Sequence, residues 1–287
     1  MAEQKDTLRM LQDILFELKG IEAKKQALAN GDYLKDDLLY CGKCNTPKEA
    51  YVTFFGKVPC MCKCTIEKNE EEEKRFKDEE KRIEIERRKF ACFDSKEFWS
   101  YTFEKCTIKD DPIYLTAKSY ANNFVTELKE GTGLTFFGNT GNGKTYLAAA
   151  IANDLLEKGY TCRMTNFETI ESEIRENGDK LTSYYKDLLS NDLLIIDDLG
   201  AERDTSYMKS IVTNVIDKRS KPLIITTNLT SKELQSVEDR TNTRIYSRIM
   251  GKTIPVKFSG EDMRRDILKE KYMRYKDVLC LTREDEK

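Results

Sequence analysis

Gly138-Asn139-Thr140-Gly141-Asn142-Gly143-Lys144-Thr145 follows the apolar pair Phe136-Phe137 and precedes Tyr146 and an alanine-rich run. The octet matches G-x-x-x-x-G-K-S/T without a mismatch, and its neighbours are those of a phosphate loop between a strand and a helix. Its glycines let the backbone curl until successive N–H groups point at phosphate oxygens, and the following helix adds its positive end. Lys144 has the reach for β- and γ-phosphates, and the Thr145 hydroxyl suits Mg²⁺. The bland alternative is a glycine-rich turn that joins two elements.

Moving outward, apolar runs predict strands at Leu134–Phe137, Thr161–Thr165, Leu193–Ile196, Leu223–Thr227 and Thr253–Phe258. Helical patterns lie between them, among them Tyr146–Glu157, Ser206–Lys218 and Arg240–Met250. Strands alternating with helices predict an α/β fold, a parallel sheet flanked by helices on both faces. Two strand ends carry chemistry. Leu193-Leu194-Ile195-Ile196 runs into Asp197 and Asp198 at the carboxyl edge, where such sheets bind ligands. Asp197 suits Mg²⁺, and Asp198 suits a general base that orients water. A helix N-cap or turn is the alternative for both. Asn228, at the end of Leu223–Thr227, is placed to stand beside a γ-phosphate; an ordinary strand-to-helix turn has the same look.

The N-terminal third is different in kind. Leu8, Leu11, Leu15 and Leu18 mark an amphipathic helix within residues 6–28. Cys41, Cys44, Cys60, Cys62 and Cys64 then offer five thiols in a short segment poor in large apolar residues. Two close cysteine pairs separated by a loop suit a structural zinc site with four thiolates, whose binding supplies folding energy. Glu67–Lys89 is a run of mixed charge that reads as an exposed helix laced with ion pairs. The expected domains are 1–64, a docking region with the zinc module; 65–109, a charged helical linker; and 110–287, the nucleotide-binding domain.

Composition narrows the function. Lys and Arg total 49 against 51 Asp and Glu, a net charge of −2, which argues against a globally basic nucleic-acid coat. Histidine is absent, so neither histidine catalysis nor histidine-ligated metal is available. The polar start MAEQKDTLRM is no signal peptide, and no apolar run has the length of a membrane span. The expected location is the cytoplasm, with reduced cysteines. Lys218-Arg219-Ser220-Lys221 is a short basic patch, either a solvated helix end or a phosphate contact.

GNTGNGKT, IIDDLGAE (Ile195–Glu202) and IITTN (Ile224–Asn228), in this order, resemble the AAA+ ATPases. More narrowly they resemble the replicative helicase loaders of the DnaC/DnaI type, including phage versions. The resemblance covers about residues 110–265 and the plan of the N-terminal part. It implies ATP and Mg²⁺ as cofactors, a docking region that grips the replicative helicase, and an ATPase domain that contacts single-stranded DNA. It also implies self-association through an arginine finger. The matching stretch, Arg244-Ile-Tyr-Ser-Arg248, offers Arg248 first and Arg244 second; a guanidinium there neutralises charge developing on the γ-phosphate. Arg264 fits the family's sensor-2 arginine, with Arg265 beside it. Loaders carry Cys-x-Cys in the thiol module, which selects Cys41, Cys44, Cys62 and Cys64 for Zn²⁺. Asp198 stands where many AAA+ proteins have Glu; one methylene less sets a water farther away and implies slow hydrolysis, stimulated by DNA or partner. Competing functions are an IstB-like transposition helper acting on duplex DNA with a transposase, a nucleotide-gated adaptor with little hydrolysis, and a small-molecule kinase.

Overall fold

The computed structural model describes residues 25–177, 181–201, 205–229, 240–259, 262 and 264–275. The leucine stripe at residues 8–18 and Cys280 lie outside them. The chain divides into two compact units, residues 1–82 and 83–287.

Among its described residues the first unit carries two hairpins. β1 (Tyr33–Lys35) pairs antiparallel with β2 (Leu38–Tyr40), and β3 (Glu49–Val52) with β4 (Gly56–Pro59). Asp36 and Asp37 form the first tip with φ of 50° and 63°, the double left-handed geometry that a two-residue hairpin turn requires. Helix α1 (Lys63–Cys92) follows. Its middle stays in helical form through pairs one turn apart, such as Lys77–Glu73 at 2.6 Å and Arg82–Glu79 at 2.7 Å. Each such pair contributes only ~0.2–0.5 kcal/mol, so it takes a series of them to hold an exposed helix.

The second unit carries a five-stranded, wholly parallel sheet in the order β6-β7-β8-β5-β9. Its strands are β5 (Gly133–Gly138), β6 (Cys162–Thr165), β7 (Leu193–Leu199), β8 (Leu223–Thr227) and β9 (Thr253–Phe258). Alternating side chains divide the core in two. Leu193, Ile195 and Ile224 face a cluster with Phe136, Leu147 and Ile151; Leu194, Ile196 and Ile225 face one with Ile170, Val212 and Val215. A strand that is apolar on both faces belongs inside a sheet with helices on each side.

The helices are α2 (Pro112–Asn122), α3 (Phe124–Glu130), α4 (Lys144–Glu157), α5 (Phe167–Asn177), α6 (Leu181–Ser190), α7 (Ser206–Lys218), α8 (Arg240–Met250) and α9 (Arg264–Tyr275). The end of α1 and the segment after it also join this core: Cys92, Phe93, Phe103 and Cys106 are buried in the first cluster. Asn153 of α4 ties it down, donating to the carbonyls of Phe98 and Tyr101, both at 2.8 Å.

The basic patch is neither a solvated helix end nor free for phosphate at its central residue. Arg219 is 1% exposed and donates to the carbonyls of Leu189 and Asn191 at 2.7 Å, Asp192 at 3.0 Å and Pro222 at 2.7 Å. Burial brings its pKa down to about 10, and Lys221 pairs with Asp192 at 2.9 Å. This guanidinium gathers the carbonyls that end α6 and enter β8, because five fixed donors can serve several acceptors at once.

Candidate nucleotide-binding site

The loop from Gly138 to Gly143 joins β5 to α4 at the carboxyl edge of the sheet. Gly138 has φ 141°, and a Cβ there would stand 2.2 Å from the Phe258 carbonyl of β9, so strand packing admits only glycine. Gly143 has φ 87° and opens α4 without a side-chain cap, at the helix end whose N–H groups and positive dipole suit an anion. Lys144 is buried, its ammonium donating to Gly138 O at 2.9 Å, Asn139 O at 2.7 Å and Asn142 Oδ1 at 3.2 Å. Asn142 in turn donates to Phe258 O at 3.1 Å. Thr140 is exposed on the loop. This donor set fits a polyphosphate: the backbone N–H groups of a glycine-rich loop, a helix N-terminus and one lysine lie together between β5 and α4.

Opposite the loop, Thr145 Oγ1 donates to Asp197 Oδ1 at 2.9 Å, and Thr226 Oγ1 donates to the same oxygen at 2.6 Å. Burial raises the Asp197 carboxyl above its ordinary pKa and the neighbouring Asp198 adds to this, while the Thr226 and Thr145 hydroxyls work against it. A hydroxyl beside a part-buried carboxylate is a donor pair for a hard divalent cation, and Mg²⁺ fits it.

Asp198 is exposed and has φ 53°, the left-handed region. Its N–H donates to Thr226 Oγ1 at 2.9 Å, and the register of β7 against β8 shifts between Ile196 and Leu199. The bulge turns the Asp198 carboxylate out from the sheet edge. Asn228 Nδ2 donates to Asp198 Oδ1 at 3.4 Å. Thr226 therefore holds both aspartates, one by donating and one by accepting. Sequence reasoning passed over it; the signal was a buried strand ending in two threonines before Asn228. A second residue it passed over is Asp262, whose carboxylate lies against Gly141, where a Cβ would meet its Oδ1 at 1.8 Å.

The arginines are dispersed. Arg244 and Arg248 lie one turn apart on α8, Arg244 exposed and Arg248 paired with Asp217 of α7. Arg264 begins α9; its side chain lies outside the described residues.

In the first unit, Cys41, Cys44, Cys62 and Cys64 bring their Sγ atoms within 4.8 Å of one another. Cys41–Cys64 is 3.6 Å and Cys62–Cys64 3.4 Å. A zinc ion with four thiolates at ~2.3 Å needs sulfurs ~3.8 Å apart, so the cluster fits Zn²⁺. Thr46 and Thr65 hydroxyls lie 3.0 Å from Cys44 and 3.1 Å from Cys62, and these contacts bring the Cys44 pKa down to about 5 and lower that of Cys62. Cys64 keeps its proton by donating it to Cys62 and Cys41, which pushes its pKa up to about 12. A divalent cation is the group that lets all four thiols ionise together. Cys60 is exposed and turned to the Pro47 carbonyl at 3.4 Å.

The model of the IstB-like ATP binding proteins matches residues 63–271. The replicative helicase loader DnaC of Escherichia coli K12 is 29% identical over 164 residues, covering 55% of this chain and 67% of that protein. The replicative helicase loader DnaI of Bacillus subtilis is 27% identical over 181 residues, covering 57% and 58%. The solved DnaC helicase loader superposes with a TM-score of 0.50 at 26% identity, over 57% of this chain and all of that one. With the phosphate loop, the paired aspartates and the AAA+ sheet in place, the chain belongs to the IstB-like ATP-binding protein family and is homologous to the DnaC and DnaI helicase loaders.

Proposed function

We propose that this protein is an ATP-switched loader that places a replicative DNA helicase on single-stranded DNA, working in the cytoplasm. The observation that carries the reading is one chain with both parts: the loop, Thr145, Asp197 and Thr226 as a nucleotide switch, and a four-thiol module, three of whose cysteines precede residue 63, where the ATP-binding match begins. Homology to two proteins named as replicative helicase loaders supports it. Residues 1–64 grip the helicase, and the ATPase part contacts DNA.

In the switch, the N–H groups from Gly138 to Gly143 and Lys144 bind the β- and γ-phosphates. Thr145 and Asp197 hold Mg²⁺, which supplies charge neutralisation on the phosphate oxygens. Asp198 orients the attacking water and takes its proton, and Asn228 steadies the Asp198 carboxylate. Arg248, or Arg244 beside it, reaches the γ-phosphate of a neighbouring subunit after Arg248 leaves Asp217. Arg264 reads the phosphates within its own subunit. The short Asp198 side chain makes turnover slow, so that hydrolysis times release. Zn²⁺ at the thiols holds the docking module in shape.

A second reading, the IstB-like transposition helper, is favoured by the family match itself. The test is native mass spectrometry of the full chain mixed with the replicative helicase of the same cell, with ATP and with ADP. A stoichiometric complex that ADP loosens is the expected result. No complex in either nucleotide overturns the loader reading. Binding to duplex DNA together with a transposase would then support the second.

A further inference from the structure

The β3–β4 hairpin ends in Thr53, Phe54 and Phe55, and both phenylalanines stand in solvent: Phe54 is 92% exposed and Phe55 80%. Tyr51 and Val52 behind them are exposed as well. Large apolar side chains are rarely left together on a rigid projection unless something covers them. The projection is rigid. Its strands pair from Glu49↔Pro59 to Val52↔Gly56, and Phe55 N–H donates to Val52 O at 3.0 Å across the tip. At its base Lys48 N–H donates to Leu39 O at 2.7 Å and Cys60 N–H to Lys48 O at 2.8 Å, so the thiol segments on either side hold it.

Charge selects the kind of partner. Ala50–Gly56 carries no charged residue. Lys57, next in line, is paired with Asp37 at 2.5 Å, and Lys48 with Asp32 at 2.6 Å. A tip that met nucleic acid or an anionic membrane would present cations beside its aromatics; here the nearest two are neutralised. A neutral aromatic knob matches an apolar cleft on a protein. Area excludes a second copy of this tip as the partner. Two tips meeting would bury four phenylalanines, roughly 600–1,000 Å² in all, which falls short of the ~1,200 Å² at which stable interfaces begin. The knob is an anchor in a wider interface.

Resting on the loader reading above, we propose that Phe54 and Phe55 are the anchor by which this protein enters an apolar cleft on the replicative helicase. Adjacent aromatics held by strand pairing lose little freedom on binding, which is the character of an interface hot spot.

The test measures the affinity of the full chain for the helicase, as wild type, as Phe54→Ser/Phe55→Ser and as Phe54→Leu/Phe55→Leu. Hydrogen exchange on the wild type, with and without helicase, runs beside it. The serine variant is expected to lose about thirtyfold or more in affinity, the leucine variant to retain most of it, and residues 51–57 to gain protection in the complex. Equal affinity of wild type and serine variant overturns the anchor and leaves the loader reading standing. Should the serine variant fail to fold, lack of protection at residues 51–57 in the wild-type complex overturns the anchor by itself. Wild-type binding to phosphatidylserine vesicles, lost in the serine variant while helicase affinity is unchanged, assigns the tip to membranes instead. Failure of the wild type to bind helicase at all overturns the loader reading and the anchor with it.

Discussion

Thr226 carries more of the candidate nucleotide site than its size suggests. Its hydroxyl donates to Asp197 and accepts from the Asp198 N–H, so one oxygen sets both carboxylates. Thr226→Val keeps the volume but leaves that N–H without its acceptor and Asp197 without its shorter hydrogen bond. We expect a stability loss of about 1–3 kcal/mol, read by denaturant unfolding, and weaker Mg²⁺-dependent nucleotide binding, read by calorimetry. Asp198 tests the chemistry separately. Its left-handed φ is tolerated by Asp and Asn alike, so Asp198→Asn preserves the backbone and removes only the carboxylate proposed as the base. ATP hydrolysis should fall by about 10²-fold or more while ATP affinity stays near the wild-type value. A hydrolysis rate unchanged by Asp198→Asn would remove Asp198 from the reaction.

At the scale of elements, α7 and α8 meet through the Arg248–Asp217 pair, and α7 ends on the buried Arg219. If Arg248 acts on a neighbour's site, Arg248→Ala and Asp198→Asn are each inactive alone, but mixing them restores part of the hydrolysis. Mixed subunits pair an intact arginine with an intact base, and an arginine finger contributes about 10³-fold or more to turnover. Absence of rescue places the arginine within its own subunit or outside catalysis. Arg219→Ala strands four backbone carbonyls in the interior. It is expected to cost at least about 3 kcal/mol, seen as a lowered midpoint in thermal unfolding and not as a selective loss of nucleotide binding. The run Lys218–Lys221 could not reveal this by itself, since a charged triplet at a helix end looks alike whether it faces water or the interior.

For the molecule as a whole, two compact units imply two separable transitions. Among its described residues the first has short hairpins and few large buried side chains, so a metal held by the four thiols would be its main source of stability. Chelation, or Cys44→Ser, should unfold residues 25–62 and abolish helicase binding, while ATP affinity of the second unit is preserved. Hydrogen exchange distinguishes the two units directly; equal loss of protection in both would mean that the metal stabilises more than its own module.

Much of the second unit was readable along the chain. Phosphate loop, aspartate pair and Asn228 lie in short runs whose glycines, apolar residues and polar ends are adjacent in sequence, and the strands β8 and β9 fall at the positions their apolar runs predict. β7 runs three residues beyond its apolar stretch, because Asp197 and Asp198 are held by hydrogen bonds with Thr226 of β8 and not by hydrophobic burial. Those local properties were determined by the sequence alone: which segments extend, where the backbone must curl, which thiols are close along the chain. The strand order, the Thr226 bridge, the burial of Arg219 and the contact of Thr135 with Thr253 across 118 positions at 2.7 Å were decided only by the tertiary structure. The physical reason is range. Backbone preference and burial pattern act between near neighbours, whereas a hydrogen bond between distant strands exists only after the core has packed and brought its two ends together.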